Sequence, residues 1–154
     1  MRRILLFLVL VILAHGIWGQ NAATIDSLLE KQQVSMSDVA WIMFGAANII
    51  DENTSPTAAF VELQQRSKRY TRYRPGDAAT LADLCLIGMI AFDVPGGIMF
   101  TITRAPRYAF RDARYRRIIP GGLNPQSKVS GANALRYTGR FIYYSDSGKP
   151  PRMQ

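Results

Sequence analysis

Two arginine-rich clusters are the part of this 154-residue chain whose residue types and spacing best suit a chemical task. Residues 66–74, RSKRYTRYR, contain five cations, two tyrosines and no acid, and residues 104–117, RAPRYAFRDARYRR, contain six arginines and one acid. Guanidinium groups bind carboxylate or phosphate at two points, and tyrosine rings suit sugar faces or a lipid head-group boundary. The sequence therefore predicts contact with an anionic partner. The candidate binding residues are Arg66, Lys68, Arg69, Tyr70, Arg72, Tyr73, Arg74, Arg104, Arg107, Arg111, Arg114 and Arg117.

The spacing of the second cluster favours a helix with one cationic stripe. If residues 106–118 are helical, Arg107, Arg111 and Arg114 follow one another at four and three residues and share that stripe. Asp112 falls on the neighbouring stripe, together with two tyrosines. The alternative interpretation is a solvated helix in which Asp112 pairs with a nearby arginine. For the first cluster, the alternative is a solvated helix end, where cations offset the helix dipole.

The first nineteen residues have the three-part pattern of a secretory signal peptide. Arg2 and Arg3 precede an apolar run at 4–14, and small residues follow up to Gly19. This run is shorter than the roughly 20 residues that a membrane span needs, although an uncleaved anchor is the alternative. We therefore predict export to the periplasm or cell envelope and expect no nucleic acid partner. Loss of the two arginines lowers the formal net charge from +8 to +6, which still favours anionic polymers, lipid head groups or acidic proteins.

Residues suited to catalysis are few. The single histidine, His15, lies in the segment that we expect to be removed, and Cys85 is the single cysteine. Neither a Ser–His or Cys–His nucleophile nor a usual zinc site can therefore be assembled. Two of Asp77, Asp83 and Asp93 could form a glycosidase-like pair, but the last two have helix-terminal positions. We expect no enzyme activity, no metal and no cofactor, and we expect Cys85 to be a buried structural thiol.

Apolar residues recur at three- and four-residue spacing, which predicts an all-α, or mainly α, fold. Ser35 and Thr80 each precede an aspartate by three residues, which is capping-box spacing, and Ser55 directly precedes a proline. A short strand is compatible with the alternating residues 98–103. The predicted helices are 24–33 with Thr24 as its cap, 35–50, 56–69, 80–92, 106–118, and 130–144 capped by Ser130.

An internal repeat is suggested by helices that share an Ile–Ile ending or a capped start, although any two amphipathic helix pairs align about as well. It predicts two helix–loop–helix units, at about 35–93 and 104–144, within one domain that spans residues 20–144. The polar tail 145–154 is expected to be disordered. The aligned segments are 39–50 with 108–119 and 80–92 with 130–142.

The stretch 115–142, YRRIIPGGLNPQSKVSGANALRYTGRFI, resembles the surface-layer homology (SLH) module of exported bacterial envelope proteins. In that family a helix ends near a Gly–Ile pair, a glycine-rich loop contains a proline, and a second helix has a Thr-Arg-Ala-Glu-like start. The resemblance implies helix–loop–helix units that grip anionic wall polymer, although Leu81 and Gly131 replace the family's helix-start arginine. The chain is also similar overall to small exported spirochaete proteins. The matching residues are Ile118-Ile119, Gly121-Gly122, Pro125 and Val129–Ala132, and in the first half Ser37–Val39, Ile49-Ile50 and Thr80–Asp83.

Together these features predict a non-catalytic envelope protein that binds an anionic partner: wall polymer, a membrane surface or an acidic protein. The first alternative is a structural subunit of an extracytoplasmic assembly, in which the basic helix and the helix bearing Trp41 pack on neighbouring proteins. Under that alternative the protein could form oligomers. The second alternative, a cell-wall hydrolase, is disfavoured by the absent histidine and the scattered carboxylates.

Overall fold

Seven α-helices and one 3₁₀ helix make up the part of the chain that this computed structural model describes, which is residues 19–151, with side chains from residue 23 onward. The predicted signal peptide lies outside the described residues, apart from Gly19. The all-α class predicted from the sequence is confirmed. No helix in the described range is both long and apolar enough to cross a membrane. The elements are α1 (Gly19–Glu30), α2 (Met36–Ala46), α3 (Pro56–Arg66), the 3₁₀ helix (Lys68–Arg72), α4 (Leu81–Ala91), α5 (Ile98–Thr103), α6 (Pro106–Tyr115) and α7 (Gly131–Ser147).

Local capping signals determine where four of the helices begin. The Ser35 hydroxyl accepts the N–H of Asp38 at 3.2 Å, and the Asp38 carboxylate accepts the N–H of Ser35 at 2.9 Å. Thr80 and Asp83 form the same reciprocal pair at the start of α4. Ser55 caps α3, and α7 also begins where the sequence predicts. These predicted starts are confirmed because each depends only on residues within one helical turn.

Residues 98–103 form the helix α5, so the short strand that the sequence allowed is absent. Phe100 is buried, whereas Ile98 and Ile102, one helical turn apart, are both exposed. Alternation of apolar and polar residues stabilises a strand only where a neighbouring strand supplies hydrogen bonds, and the described residues offer none here.

Other predicted helix limits are also wrong. The helices predicted at 24–33, 35–50, 56–69 and 106–118 end earlier, at Glu30, Ala46, Arg66 and Tyr115. Helix α1 begins at Gly19, and Thr24 lies inside it, where its carbonyl accepts the Ser27 hydroxyl at 2.8 Å. Helix α7 continues past residue 144 to Ser147, so the first three residues of the predicted disordered tail are helical. Gly148, with a φ of 62°, then ends the helix in the left-handed conformation that glycine adopts readily.

Three helices end in the same backbone motif. A residue with positive φ follows the helix, and the N–H of the next residue donates to the carbonyl five positions earlier. The positive-φ residues are Asn48, Asp93 and Arg117, and the bonds are Ile49 to Phe44, Val94 to Met89 and Ile118 to Ala113, at 2.8 to 3.0 Å. The Ile–Ile pairs after α2 and α6 directly follow the positive-φ residue of this motif, and Val94-Pro95 holds the same place after α4.

The helices form an inner and an outer group. Helices α2, α4 and α7 contact one another, and each also carries an outer helix: α3 packs on α2, α6 on α4 and α1 on α7. The sequence alignment of 39–50 with 108–119 therefore paired an inner helix with an outer one. The alignment also omitted α1, which together with α2 forms a third helix–loop–helix unit.

Hydrogen bonds between the loops close the three inner helices into a ring. The first N–H groups of a helix lack partners within it, and here the carbonyls of a loop from another part accept them. The N–H of Val34 also donates to Val129 at 2.8 Å, and the N–H of Ala79 to Val34 at 3.0 Å. The helix-start bonds run from Met36 to Asp77 at 2.8 Å, from Leu81 to Ser127 at 2.8 Å and from Gly131 to Lys31 at 2.9 Å.

Asp38 makes the stability of this ring depend on pH. Burial alone would raise the pKa of its carboxyl, but the N–H and hydroxyl of Ser35 and the Lys31 ammonium, 2.9 Å away, lower the pKa below its ordinary 3.8. Such a carboxyl stabilises the fold above its ordinary pKa, and the contribution is lost as pH falls through the lowered value. We expect Asp38→Asn to lower the free energy of unfolding by about 1 kcal/mol at neutral pH and by less near pH 2. Urea unfolding of both chains measures this, and an equal difference at both pH values would contradict it.

Candidate anionic-partner interface

Helix α6 contains three of the six arginines of the second cluster and turns all three toward solvent. Its other side, formed by Ala109, Phe110 and Ala113, is buried where α6 packs on α4. The predicted cationic stripe is therefore the exposed side of the helix, and two further exposed arginines flank it. These five residues, here called the arginine surface, are Arg104, Arg107, Arg111, Arg114 and Arg117.

Aromatic rings support three members of the arginine surface. The guanidinium carbons of Arg107 and Arg111 each lie 5.2 Å from the centre of the Tyr108 ring. Arg104 lies at the same distance from the ring of Phe100. Such contacts attract a cation to the ring face and restrict the side chain without neutralising its charge.

The single acid of the cluster does not neutralise the arginine surface. Asp112 accepts the N–H of Gly97 at 2.7 Å and so holds the start of α5 beside α6. In the described part of the chain only Lys31–Asp38 and Arg66–Glu62 form salt bridges. The predicted pairing of Asp112 with a neighbouring arginine is therefore wrong, whereas the solvated helix of that alternative interpretation stays open.

Arg116, the sixth arginine of the cluster, has a structural position. Its guanidinium donates to the Tyr144 hydroxyl at 2.6 Å and to the carbonyl of Pro95, and it lies 5.7 Å from the centre of the Tyr144 ring. These contacts join the end of α6 to α7 and to the loop after α4. Arg116 is thus separated from the exposed arginines that neighbour it in sequence.

The first cluster, 66–74, is divided between structural contacts and solvent. Arg66 pairs with Glu62 at 2.7 Å and lies 5.7 Å from the centre of the Phe44 ring. Arg69 and Tyr73 are half-buried, and Tyr73 packs 5.6 Å from the ring of Tyr70. The members that remain exposed without an acidic partner among the described residues are Lys68, Arg72 and Arg74.

Tyr70, predicted as a binding residue, is fully buried, and this prediction is wrong. The 3₁₀ helix turns its ring into the core, and its hydroxyl has no hydrogen-bond partner among the described residues. Burial, and after it the negative charge of Asp83, raise the pKa of this hydroxyl well above its ordinary value. Tyr70 therefore stays neutral and does not reach a partner.

The carboxylates considered for catalysis have local structural roles. Asp77 accepts the N–H of Arg74 at 2.8 Å, and Asp83 belongs to the capping box of α4. Asp93 lies at the positive-φ position after α4. Cys85 is buried as predicted, and burial raises the pKa of its thiol. Within the described residues no group of three His, Cys, Asp or Glu side chains is placed to hold a metal ion.

A cavity of about 430 Å³, which α1, α2, α7 and the loop after α2 line, was not predicted from the sequence. Its walls are mostly apolar, and Trp41 closes one side while its indole N–H donates to the Thr54 carbonyl at 2.8 Å. The lining residues lie on three helices and on the loop 48–52, and those on α7 are distant in sequence from the others. Their helical spacing is the same as that of core residues, so no sequence signal separates them from the core.

Comparison of the chain with protein-family models, with curated proteins and with solved structures finds no match. The resemblance to the SLH module therefore stays a prediction from the sequence.

Proposed function

We propose that this protein is a non-catalytic exported envelope protein that binds an anionic partner through the arginine surface of α6. One observation supports this most strongly: five exposed guanidinium groups lie along and beside one helix, and none forms a salt bridge within the described residues. Like charges this close repel one another, so an anionic partner would relieve a repulsion that the folded chain bears when alone.

The side chains of the arginine surface are also prepared for binding. Tyr108 contacts both Arg107 and Arg111, and Phe100 contacts Arg104. Side chains that are already restricted lose less conformational entropy when a partner binds. A guanidinium group held in this way can still present two parallel N–H donors to a carboxylate or phosphate.

The arginine surface is favoured over the first cluster as the principal contact. In the first cluster, Arg66 is paired with Glu62 and Tyr70 is buried, so the interleaved pattern of cations and tyrosines does not reach the surface. On α6, by contrast, Tyr115 is 89% exposed among the arginines. We therefore assign Lys68, Arg72 and Arg74 at most a secondary electrostatic role.

The variant R107Q/R111Q/R114Q tests this proposal. We expect its affinity for a heparin matrix to be about 10- to 100-fold lower than that of the unaltered chain, since an exposed charge contact contributes up to about 1 kcal/mol. Retention of the unaltered chain should fall as salt rises, because mobile ions screen exposed charges. Circular dichroism should show an unchanged helix content, because all three side chains are exposed.

A matched control separates a specific surface from overall charge. K68Q/R72Q/R74Q removes the same three positive charges from the exposed part of the first cluster. We expect this control to elute close to the unaltered chain. If the two triple variants elute together, retention follows net charge alone and the arginine surface has no special role.

A further inference from the structure

We infer that the arginine surface docks on a bilayer that contains anionic lipid, with Ile98 and Ile102 of α5 inserted among the head groups. This inference rests on the proposed function and names the partner of the same surface. It depends on an apolar patch whose exposure the sequence did not reveal.

The apolar patch lies on α5. The side chains of Ile98 and Ile102 are 80% and 73% exposed, and Met99 beside them is 40% exposed. Phe100 faces the other way and is buried. The two isoleucines are four residues apart and therefore project from the same side of the helix. Helix α5 thus buries one aromatic ring and leaves its apolar outer side without a partner among the described residues.

The apolar patch adjoins the arginine surface. The hydrogen bond from Gly97 to Asp112 holds the start of α5 against α6. Asp112 and Tyr108 share a stripe of α6, and the Tyr108 ring touches Arg107 and Arg111 on the neighbouring stripe. Passing around α6, the surface therefore changes from apolar isoleucines to tyrosine and then to arginine.

This order matches the outer layers of an anionic bilayer. Transfer of an isoleucine side chain from water to the boundary of the acyl chains is favourable. Tyrosine is suited to the head-group region, and arginine pairs with lipid phosphates. The cavities of about 430, 160 and 70 Å³ are lined by side chains outside this surface. Its chemistry therefore favours an extended partner.

Other partners fit the combined surface less well. A wall polysaccharide supplies anionic groups but no apolar phase to cover the isoleucines. A second copy docked face to face would bring five arginines against five arginines, which repel. An acidic protein could satisfy the arginines but would need its own apolar patch beside its acids, whereas a bilayer supplies both layers everywhere.

Vesicles of phosphatidylcholine, with and without phosphatidylglycerol, test the inference by co-sedimentation of the full chain. We expect binding that requires phosphatidylglycerol at low salt. R107Q/R111Q/R114Q should bind about 100-fold more weakly, because each cation near the surface contributes about fivefold. I98S/I102S should bind at least about tenfold more weakly, because burial of one isoleucine already contributes that factor. All variants carry the same N-terminal residues, so their differences report on α5 and α6.

The control variant is Leu29→Ser with Val61→Ser, which alters two apolar residues that are 49% and 47% exposed on other helices. It should bind vesicles within about twofold of the unaltered chain, as is usual for surface substitutions. Equal losses for this control and for I98S/I102S would overturn the inference. Vesicle binding that is indifferent to both isoleucines would overturn it as well.

Further outcomes distinguish this inference from the proposed function. Arginine-dependent retention on heparin without any vesicle binding would overturn the bilayer inference and leave the proposed function standing. Absence of both would overturn both. Sedimentation equilibrium addresses a second copy of the chain: self-association that I98S/I102S abolishes, with vesicle binding unchanged, would assign the isoleucines to a dimer and overturn their insertion into lipid.

Discussion

Replacement of Gly131 by alanine is expected to lower the free energy of unfolding by about 3 kcal/mol, the upper part of the usual range for overpacking. A Cβ added at Gly131 would lie 1.6 Å from the carbonyl oxygen of Leu28. That oxygen belongs to the backbone of α1, so no side-chain rotation can relieve the clash. Helix α1 would have to move away from the start of α7, and the hydrogen bond from Gly131 to Lys31, at 2.9 Å, would be stretched.

Urea unfolding followed by circular dichroism measures this effect, and the same helix provides its control. Gly139 lies in the middle of α7, and a Cβ added there meets nothing within 4 Å. Gly139→Ala should therefore raise stability by about 0.5 to 1 kcal/mol, because alanine loses less backbone entropy in a helix. If Gly131→Ala is as stable as Gly139→Ala, then α1 does not pack on the start of α7 as described.

Truncation of Phe141 to alanine is expected to lower the free energy of unfolding by about 4 kcal/mol. The Phe141 ring is fully buried in the core and stacks on Phe92, with 6.0 Å between ring centres and 12° between ring planes. It also lies over Gly88, where an added Cβ would approach the ring to 2.7 Å. The ring therefore joins α7 to α4 through a gap that only glycine leaves open.

A double-mutant cycle checks this packing independently of the total stability. Gly88→Ala alone should be destabilising, because the new methyl group meets a ring that is held by Phe92. In the double variant with Phe141→Ala, the methyl group enters space that the ring has vacated. The loss of stability in the double variant should therefore be smaller than the sum of the two single losses by about 1 kcal/mol or more. Strict additivity would show that Gly88 and Phe141 are not in contact.

The helix starts could be predicted from the sequence because capping depends on neighbours within one turn. Ser35 with Asp38, and Thr80 with Asp83, act in the structure as their spacing indicates. The limits of α1 and α7 could not be predicted in the same way. Thr24 has the residue type of a cap but lies inside a helix, and the polar residues before Gly148 continue a helix that packing has already started.

The ring that the loops form around the three inner helices could not be predicted from local sequence patterns. The Ile–Ile pairs follow the same helix-end motif after α2 and α6, and their match aligned an inner helix with an outer one. The inner helices are distinguished by the hydrogen bonds of their first N–H groups, which a loop from another part of the chain accepts. Those bonds join Met36 to Asp77 and Leu81 to Ser127, over distances in sequence that periodicity cannot show.

The two basic clusters show the same limit at the candidate site. Helical spacing correctly predicted that Arg107, Arg111 and Arg114 would share one stripe of α6, which the structure shows to be exposed. It could not show that Tyr70, within the first cluster, would be turned into the core by a 3₁₀ helix. The exposed isoleucines of α5 were not predicted, because the alternation of apolar and polar residues suggested a strand. Whether an apolar side chain is exposed also depends on which other element of the chain packs against it.

A photo-crosslink from position 115 is the most direct test of the arginine surface as the contact face. Tyr115 is 89% exposed beside the arginines, and its replacement by p-benzoylphenylalanine leaves all five of them in place. The same replacement at Tyr143 of α7, 47% exposed, is the matched control. In intact cell envelopes we predict lipid adducts from position 115 but not from position 143, and their loss when R107Q/R111Q/R114Q is added. Equal adducts from both positions, or adducts from position 115 that persist without the three arginines, would contradict the proposed contact surface.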